Sequence, residues 1–153
     1  MNSAVDTSLK QPELYIQKPF ALRNGTIIKN RLIKSAMSEA LGTIDNIPTP
    51  KLATLYRQWA NGGIGLNITG NVMVDARALG EPGNVVLEND KHMSILKQWA
   101  HAGTANNTHL WMQINHPGKQ VPKGLNRGSV APSAIGFGPD MARFFEIPRA
   151  LTE

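Results

Sequence analysis

Apolar segments of two different periods alternate along this chain, and that alternation restricts the fold more than any other feature. Leu32-Ile33-Lys34-Ser35-Ala36-Met37 reads as a strand. A helix follows from Thr49-Pro50, where Thr can cap and Pro tolerates the first turn. Leu52, Leu55, Tyr56, Trp59 and Ala60 recur at helical spacing, and Gly62-Gly63 supply the stop. Ile64 to Gly70 is a second strand candidate. A second helix is expected to open near Asn89 or Asp90, with Met93, Leu96, Trp99 and Ala100 on its apolar face and Asn106-Asn107 as its end. Gly103 weakens its last turn. His109 to Ile114 reads as a third strand, closed by Asn115-His116-Pro117-Gly118. Strand, helix, strand, helix, strand implies βαβ units and an α/β fold with a parallel sheet.

Two flanking regions read differently. Phe20 to Ile28 has the pattern of a hairpin around Asn24-Gly25, the pair a type I′ turn favours. Ten of the 24 Gly and Pro residues fall between Pro117 and Pro148, so the final third is expected to be turns and irregular loop. Residues 1–18 read as a flexible polar arm. Met1 to Tyr15 has no apolar core of the kind a secretory leader needs.

Composition excludes several classes. At 41% hydrophobic and 18% charged residues, the 153-residue chain can bury one core and does not resemble a disordered protein. No apolar run approaches the roughly 20 residues that cross a bilayer, so no membrane partner is expected. With no cysteine, disulfides, thiolate metal sites and a Cys nucleophile are all excluded. That fits a reducing compartment, and a cytoplasmic location is the expectation. The net charge of +5 favours anionic partners, but the basic residues are scattered. Even Lys29-Asn-Arg-Leu-Ile-Lys34 is interrupted by an apolar pair, which argues against nucleic acid.

In parallel α/β sheets, ligands sit beyond the carboxyl ends of the strands. Those ends read Ser35-Ala36-Met37-Ser38, Thr69-Gly70-Asn71 and Gln113-Ile114-Asn115-His116. Hydroxyls, amides and small residues suit a flat heterocycle with ring carbonyls and N–H groups. Each has a plainer role beside it. The serines serve equally as turn residues, Gln113 as a partner for loop backbone, and His116 as a loop residue before Pro-Gly.

Three ordered segments, Lys29-Asn-Arg-Leu-Ile-Lys-Ser-Ala-Met-Ser38, Gly65-Leu-Asn-Ile-Thr-Gly-Asn71 and Trp111-Met-Gln-Ile-Asn-His-Pro-Gly-Lys119, resemble the amino-terminal part of the old yellow enzyme family, FMN-dependent NAD(P)H:flavin oxidoreductases and ene-reductases. Ala131-Pro-Ser-Ala-Ile135 resembles the loop segment that follows. The resemblance runs from about Pro19 to the end. It implies a partial TIM (β/α)8 barrel over residues 19–153, made of the hairpin, about three strand–helix units and a long Gly/Pro-rich loop region.

By resemblance, Ser35, Ala36, Met37 and Ser38 belong to the segment that contacts the isoalloxazine, with Ser38 near flavin O4 and N5. Gly70 and Asn71 fall where a small residue packs near the flavin, Asn being bulkier than the family's usual Gly or Ala. Gln113 matches the amide that bonds the pyrimidine edge, and His116 a residue that orients the loop or walls the site. Asn67 stands where an apolar residue is usual, and a buried amide there needs a partner. The cofactors implied are FMN and, as reductant, NAD(P)H; the acceptor is a small electrophilic alkene. The proton donor, the substrate-anion residues and the phosphate site would lie beyond Glu153, leaving no catalytic residue assigned here. The fragment is expected to hold FMN poorly by itself and to be inactive alone. A complementary carboxy-terminal half or another copy would then be its partner. The alternative is a non-catalytic remnant or partner-binding half-barrel.

Overall fold

A computed structural model describes residues 14–126 and 128–152. Most of the expected arm, residues 1–13, lies outside the described residues; Tyr15–Gln17 forms a 3₁₀ turn. Its Ile16 carbonyl accepts from the Arg31 N–H at 2.9 Å, and the Arg31 guanidinium stacks 4.3 Å over the Tyr15 ring.

Strands β1 (Phe20–Ala21) and β2 (Ile27–Ile28) pair antiparallel, Phe20 opposite Ile28. The hairpin is as expected, but its turn is not type I′. The Gly25 N–H donates to the Leu22 carbonyl at 3.0 Å, and only Gly25, at φ 85°, has positive φ. A turn over Arg23-Asn24 followed by a left-handed Gly is the three-residue, bulged alternative. Asn24 instead spends its side chain on the Thr26 N–H at 3.1 Å.

The central sheet is parallel throughout. Strand β4 (Leu66–Met73) pairs with β6 (His109–Asn115) along one edge. Its other edge is shared by β3 (Ile33–Lys34) at the amino end and β5 (Val85–Val86) at the carboxyl end. Helices α1 (Pro50–Asn61) and α2 (Met93–Gly103) cover one face. Leu52 and Tyr56 of α1, Leu96 and Trp99 of α2, and Val72 and Val85 of the sheet form the core between these layers. The Tyr56 ring meets Trp59 and Trp99 edge-on at 4.9 and 5.3 Å, geometries worth about 0.5–1.5 kcal/mol each beyond area burial.

Several sequence expectations are corrected. The strand expected over Leu32–Met37 is only Ile33–Lys34; the chain then leaves the ladder, and Ala40 takes a left-handed φ of 51°. β4 runs three residues past Gly70, and β5, only two residues long, was not foreseen. Thr49 does not cap α1. Its hydroxyl donates to the Leu41 carbonyl at 2.7 Å, tying the irregular segment to the helix. α2 begins at Met93 rather than near Asn89 or Asp90, and buries Ala102 and Gly103 where Met93 and Ala100 were expected. Gly103 packs closely there, and a Cβ would lie 2.8 Å from the Leu110 side chain, which would have to shift. The helix ends at Gly103, three residues before the expected stop, and Asn106 and Asn107, both left-handed, lie in the separate 3₁₀ turn that follows.

The hairpin closes the amino-terminal end of the sheet. The Lys29 ammonium donates to the Asn106 carbonyl and Thr108 hydroxyl, and a His109 ring nitrogen contacts the Ile27 carbonyl at 3.0 Å. The final third is irregular, as its Gly and Pro content implies. Among the described residues it holds a parallel pair, β7 (Val130–Ala131) with β8 (Arg149–Ala150), a 3₁₀ turn (Gly118–Gln120) and a single turn of helix, α3 (Pro139–Ala142).

Candidate flavin site at the strand tips

Side-chain parity decides what the carboxyl end of the sheet presents. In β6, Leu110 packs on the helix-side core and Met112 lines an apolar cleft against α2. Trp111, Gln113 and Asn115 therefore face the opposite, concave side. In β4, Asn67 donates to the Gly103 carbonyl of α2 at 3.3 Å, so it faces the helices; its nitrogen has the partner that burial demands, while its Oδ1 has none. Beyond a register shift, Val72 faces the helices, leaving Asn71 on the concave side. Asn71 is paired with Gln113, and the Gln113 amide donates to Asn71 Oδ1 at 2.5 Å. This dyad leaves one amide acceptor and at least one donor unspent, whichever way round the two amides are assigned.

Ser38 and Asn71 border the same narrow crevice, together with Glu39 and Gly83, and Leu52 and Trp99 of the helix-side core also line it. Ser35, Met37 and Ser38 are exposed and Ala36 is half-buried; they stand beyond β3, on irregular backbone. Gly70 lies directly behind them: a Cβ there would collide with the Met37 carbonyl and the Glu39 carboxylate. His116 is exposed and lines a 340 Å³ hollow with Asn71 and Asn115. Its Nδ1 accepts from the Gly118 N–H at 3.0 Å, so the neutral ring carries its proton on Nε2. That bond shapes the His-Pro-Gly turn, in which Gly118 has φ 59°. His116 also faces a wider cleft of 740 Å³ bordered by Asp75, Arg77, Ser129 and Arg149. There the Arg77 guanidinium, with two 3.0 Å bonds, holds the Asp75 carboxyl below the ordinary carboxylate range.

Sequence reading missed the groups beneath this surface. The sequence places Lys34 in a basic patch and Tyr56 on an apolar helix face, and gives Glu39 no role. In the fold they meet. The Lys34 ammonium lies 3.6 Å from Glu39 Oε1 and 3.2 Å from the Tyr56 hydroxyl, and Tyr56 donates to the same carboxylate oxygen. Burial pulls the Lys34 ammonium below its usual pKa despite the opposing pull of Glu39. Burial, with the Glu39 contact, pushes the Tyr56 phenol far above its usual value. Tyr56 at helical spacing carried a packing signal only; nothing local marks it as the partner of a residue 17 positions earlier.

The profile of the NADH:flavin oxidoreductase / NADH oxidase family matches residues 15–150. The chain belongs to that family. Its description names NADH and a flavin, in agreement with the cofactors the motifs imply. A 134-residue stretch is 36% identical to the NADH-dependent flavin oxidoreductase iliE of Hypocrea jecorina, covering 82% of this chain and 33% of that protein. Another, of 139 residues, is 37% identical to an NADH:fumarate oxidoreductase of Klebsiella pneumoniae, covering 90% of this chain and 15% of that protein. The chain thus spans a third or less of these two relatives. Among solved structures, the old yellow enzyme homologue from Zymomonas mobilis superposes with a TM-score of 0.77 at 24% identity, over 91% of this chain and 40% of that one. Morphinone reductase gives 0.76 at 22% identity, over 90% and 39%. Likeness at that level shows the fold: a partial TIM barrel.

Proposed function

We propose that this chain forms one wall of the flavin site of an FMN-dependent oxidoreductase that passes hydride from NAD(P)H through the flavin to a small electrophilic alkene. The single observation that carries this reading is the Asn71–Gln113 dyad on the concave face, bonded at 2.5 Å and bordered by Ser38. An isoalloxazine presents an N–H flanked by carbonyls on its pyrimidine edge, and the dyad offers the complementary acceptor and donor. FMN, when bound, supplies the hydride relay; the protein supplies orientation and electrostatics. Gln113 and Asn71 would fix the ring edge. Ser35 to Ser38 would line the ring from beyond β3, with the Ser38 hydroxyl bonding its reactive side. His116, its Nε2–H directed away from the turn it stabilises, would wall the site. Residues 19–153 would then be the amino-terminal portion of a larger barrel domain, in a cytoplasmic protein.

The test is FMN retention, read by visible absorbance, for the chain alone and together with a candidate carboxy-terminal half. Gln113→Leu is expected to weaken retention about tenfold, the cost of about one hydrogen bond to a buried edge. Absence of bound flavin under both conditions, or unchanged affinity in Gln113→Leu, overturns the assignment.

The open flank favours a partner-binding reading beside this one. Trp111, Met112 and Ile114 of β6 are 42%, 41% and 69% exposed, and a strand edge with apolar neighbours invites pairing with another chain. Yellow colour only when the second half is present supports assembly of a split barrel; a stable complex without flavin supports the non-catalytic alternative.

A further inference from the structure

Between Ile68 and Asn71, β4 advances three residues while β6 advances two, from Trp111 to Gln113. One residue is extra, which is a β-bulge. Its effect on parity is specific. Asn67 and Thr69 face the helices, Thr69 in the cleft lined by Leu96 and Trp99. In a regular strand Asn71 would follow them onto the helix side. With the bulge, Val72 takes that side and Asn71 turns to the concave face beside Gln113.

A bulge breaks the ladder and frees backbone groups that must find other partners when buried. Four backbone groups around it are met by side chains. The Ile68 carbonyl accepts from the Lys34 ammonium at 2.8 Å. The Gly70 N–H donates to Glu39 Oε1 at 3.1 Å and to the Tyr56 hydroxyl oxygen at 3.2 Å. The Gln113 N–H, across the ladder, donates to the Thr69 hydroxyl at 2.9 Å, and that hydroxyl donates to the Gly70 carbonyl at 2.8 Å. The charged pair that does this is itself costly to bury: the side chains of Lys34 and Glu39 are each only 9% exposed. Lys34 is further held 4.5 Å over the Trp59 ring. A well-packed apolar pair would fill the same space at lower cost, but would leave the bulge's N–H and carbonyl unpaired.

We infer that Lys34, Glu39 and Tyr56 are positioning residues that clamp the Thr69-Gly70 bulge, and through it set the side-chain parity that presents Asn71 to Gln113. Lys34 and Tyr56 lie beneath the site, and Glu39 reaches only the crevice beside Ser38 and Asn71. They act through backbone. The consequence for flavin rests on the reading given above; the clamp itself does not.

Tyr56→Phe removes one hydroxyl and keeps the ring in the core; Glu39→Gln keeps the shape and removes the charge. The NMR contact between the Asn71 and Gln113 side-chain amides is expected in the parent chain and lost in both variants, with far-UV circular dichroism unchanged. Exchange of the Gly70 amide should accelerate about tenfold or more, the scale of one lost hydrogen bond. FMN affinity should fall by about the same factor, while the Gln113→Leu background shows no additional loss. Should Tyr56→Phe fail to fold, Lys34→Met is read in its place. Persistence of the Asn71–Gln113 contact and of Gly70 protection in the folded variants overturns the clamp. A parent chain that shows the contact yet binds no FMN removes the flavin reading and leaves the clamp standing on the NMR result.

Discussion

The two faces of β4 are built on opposite principles. Toward the helices it presents Val72 to Leu52, Tyr56, Leu96 and Trp99, an apolar core in which the Asn67 amide bonds the Gly103 carbonyl while Trp99 Nε1 and Asn67 Oδ1 have no partner. Toward the concave side it presents Asn71 beside Gln113, with Ser38 and Met37 exposed nearby. The first face holds the strand in place and the second is left with unspent hydrogen-bonding capacity. One bulged residue separates them, so stability and recognition are assigned to adjacent positions of a single strand.

Substitutions on the two faces should therefore separate cleanly. The largest effect is expected from Leu52→Ala, which opens a cavity among Tyr56, Val72 and Trp99 and should cost about 2–5 kcal/mol in denaturant titration. A cost below 1 kcal/mol would show that the helix face is not the stabilising one. Gly70→Ala comes next. Its Cβ collides with the Met37 carbonyl and Glu39 carboxylate, an overpacking of about 1–3 kcal/mol, and it should disturb both faces at once because it strikes the bulge.

A smaller effect belongs to alkaline pH. The Tyr56 phenol is held far above its usual value by burial, then by the Glu39 contact. A raised folded pKa contributes stability that is complete below the ordinary phenol value near 10 and is lost as pH rises above it. Unfolding free energy should fall above about pH 10 in the parent. Tyr56→Phe should remove that component, whereas equal alkaline slopes would contradict it. Smallest in stability is Ser38→Ala on the exposed rim, within about 0.5 kcal/mol. In a flavin-loaded assembly it should nonetheless shift the reduction potential; an unmoved potential reassigns Ser38 to the turn.

Much of this architecture was legible locally. Leu52, Tyr56 and Ala60 announce α1 by their spacing, and His109 to Ile114 announces β6, because side chains of one face must recur at the period of their element. The polar character of Ser38, Asn71 and Gln113 was legible too, although Ser38 lies on irregular backbone beyond β3 and the other two within β4 and β6 rather than at their ends. Short-range signals failed where pairing is long-range. Val85-Val86 is a strand only because Val72 and Met73 lie alongside it. Leu32 to Met37 has strand composition but finds a ladder partner for two residues alone.

By itself, then, the order of residues determined the alternation of elements, the hairpin, the loop-rich final third and the family, since each is written in neighbours or in motifs. Only tertiary structure decided which way Asn71 points. That orientation depends on an extra residue in β4 measured against β6, and on a lysine, a glutamate and a tyrosine from three separate segments meeting the backbone that residue sets free. Parity is a relation between strands, and no single strand encodes it.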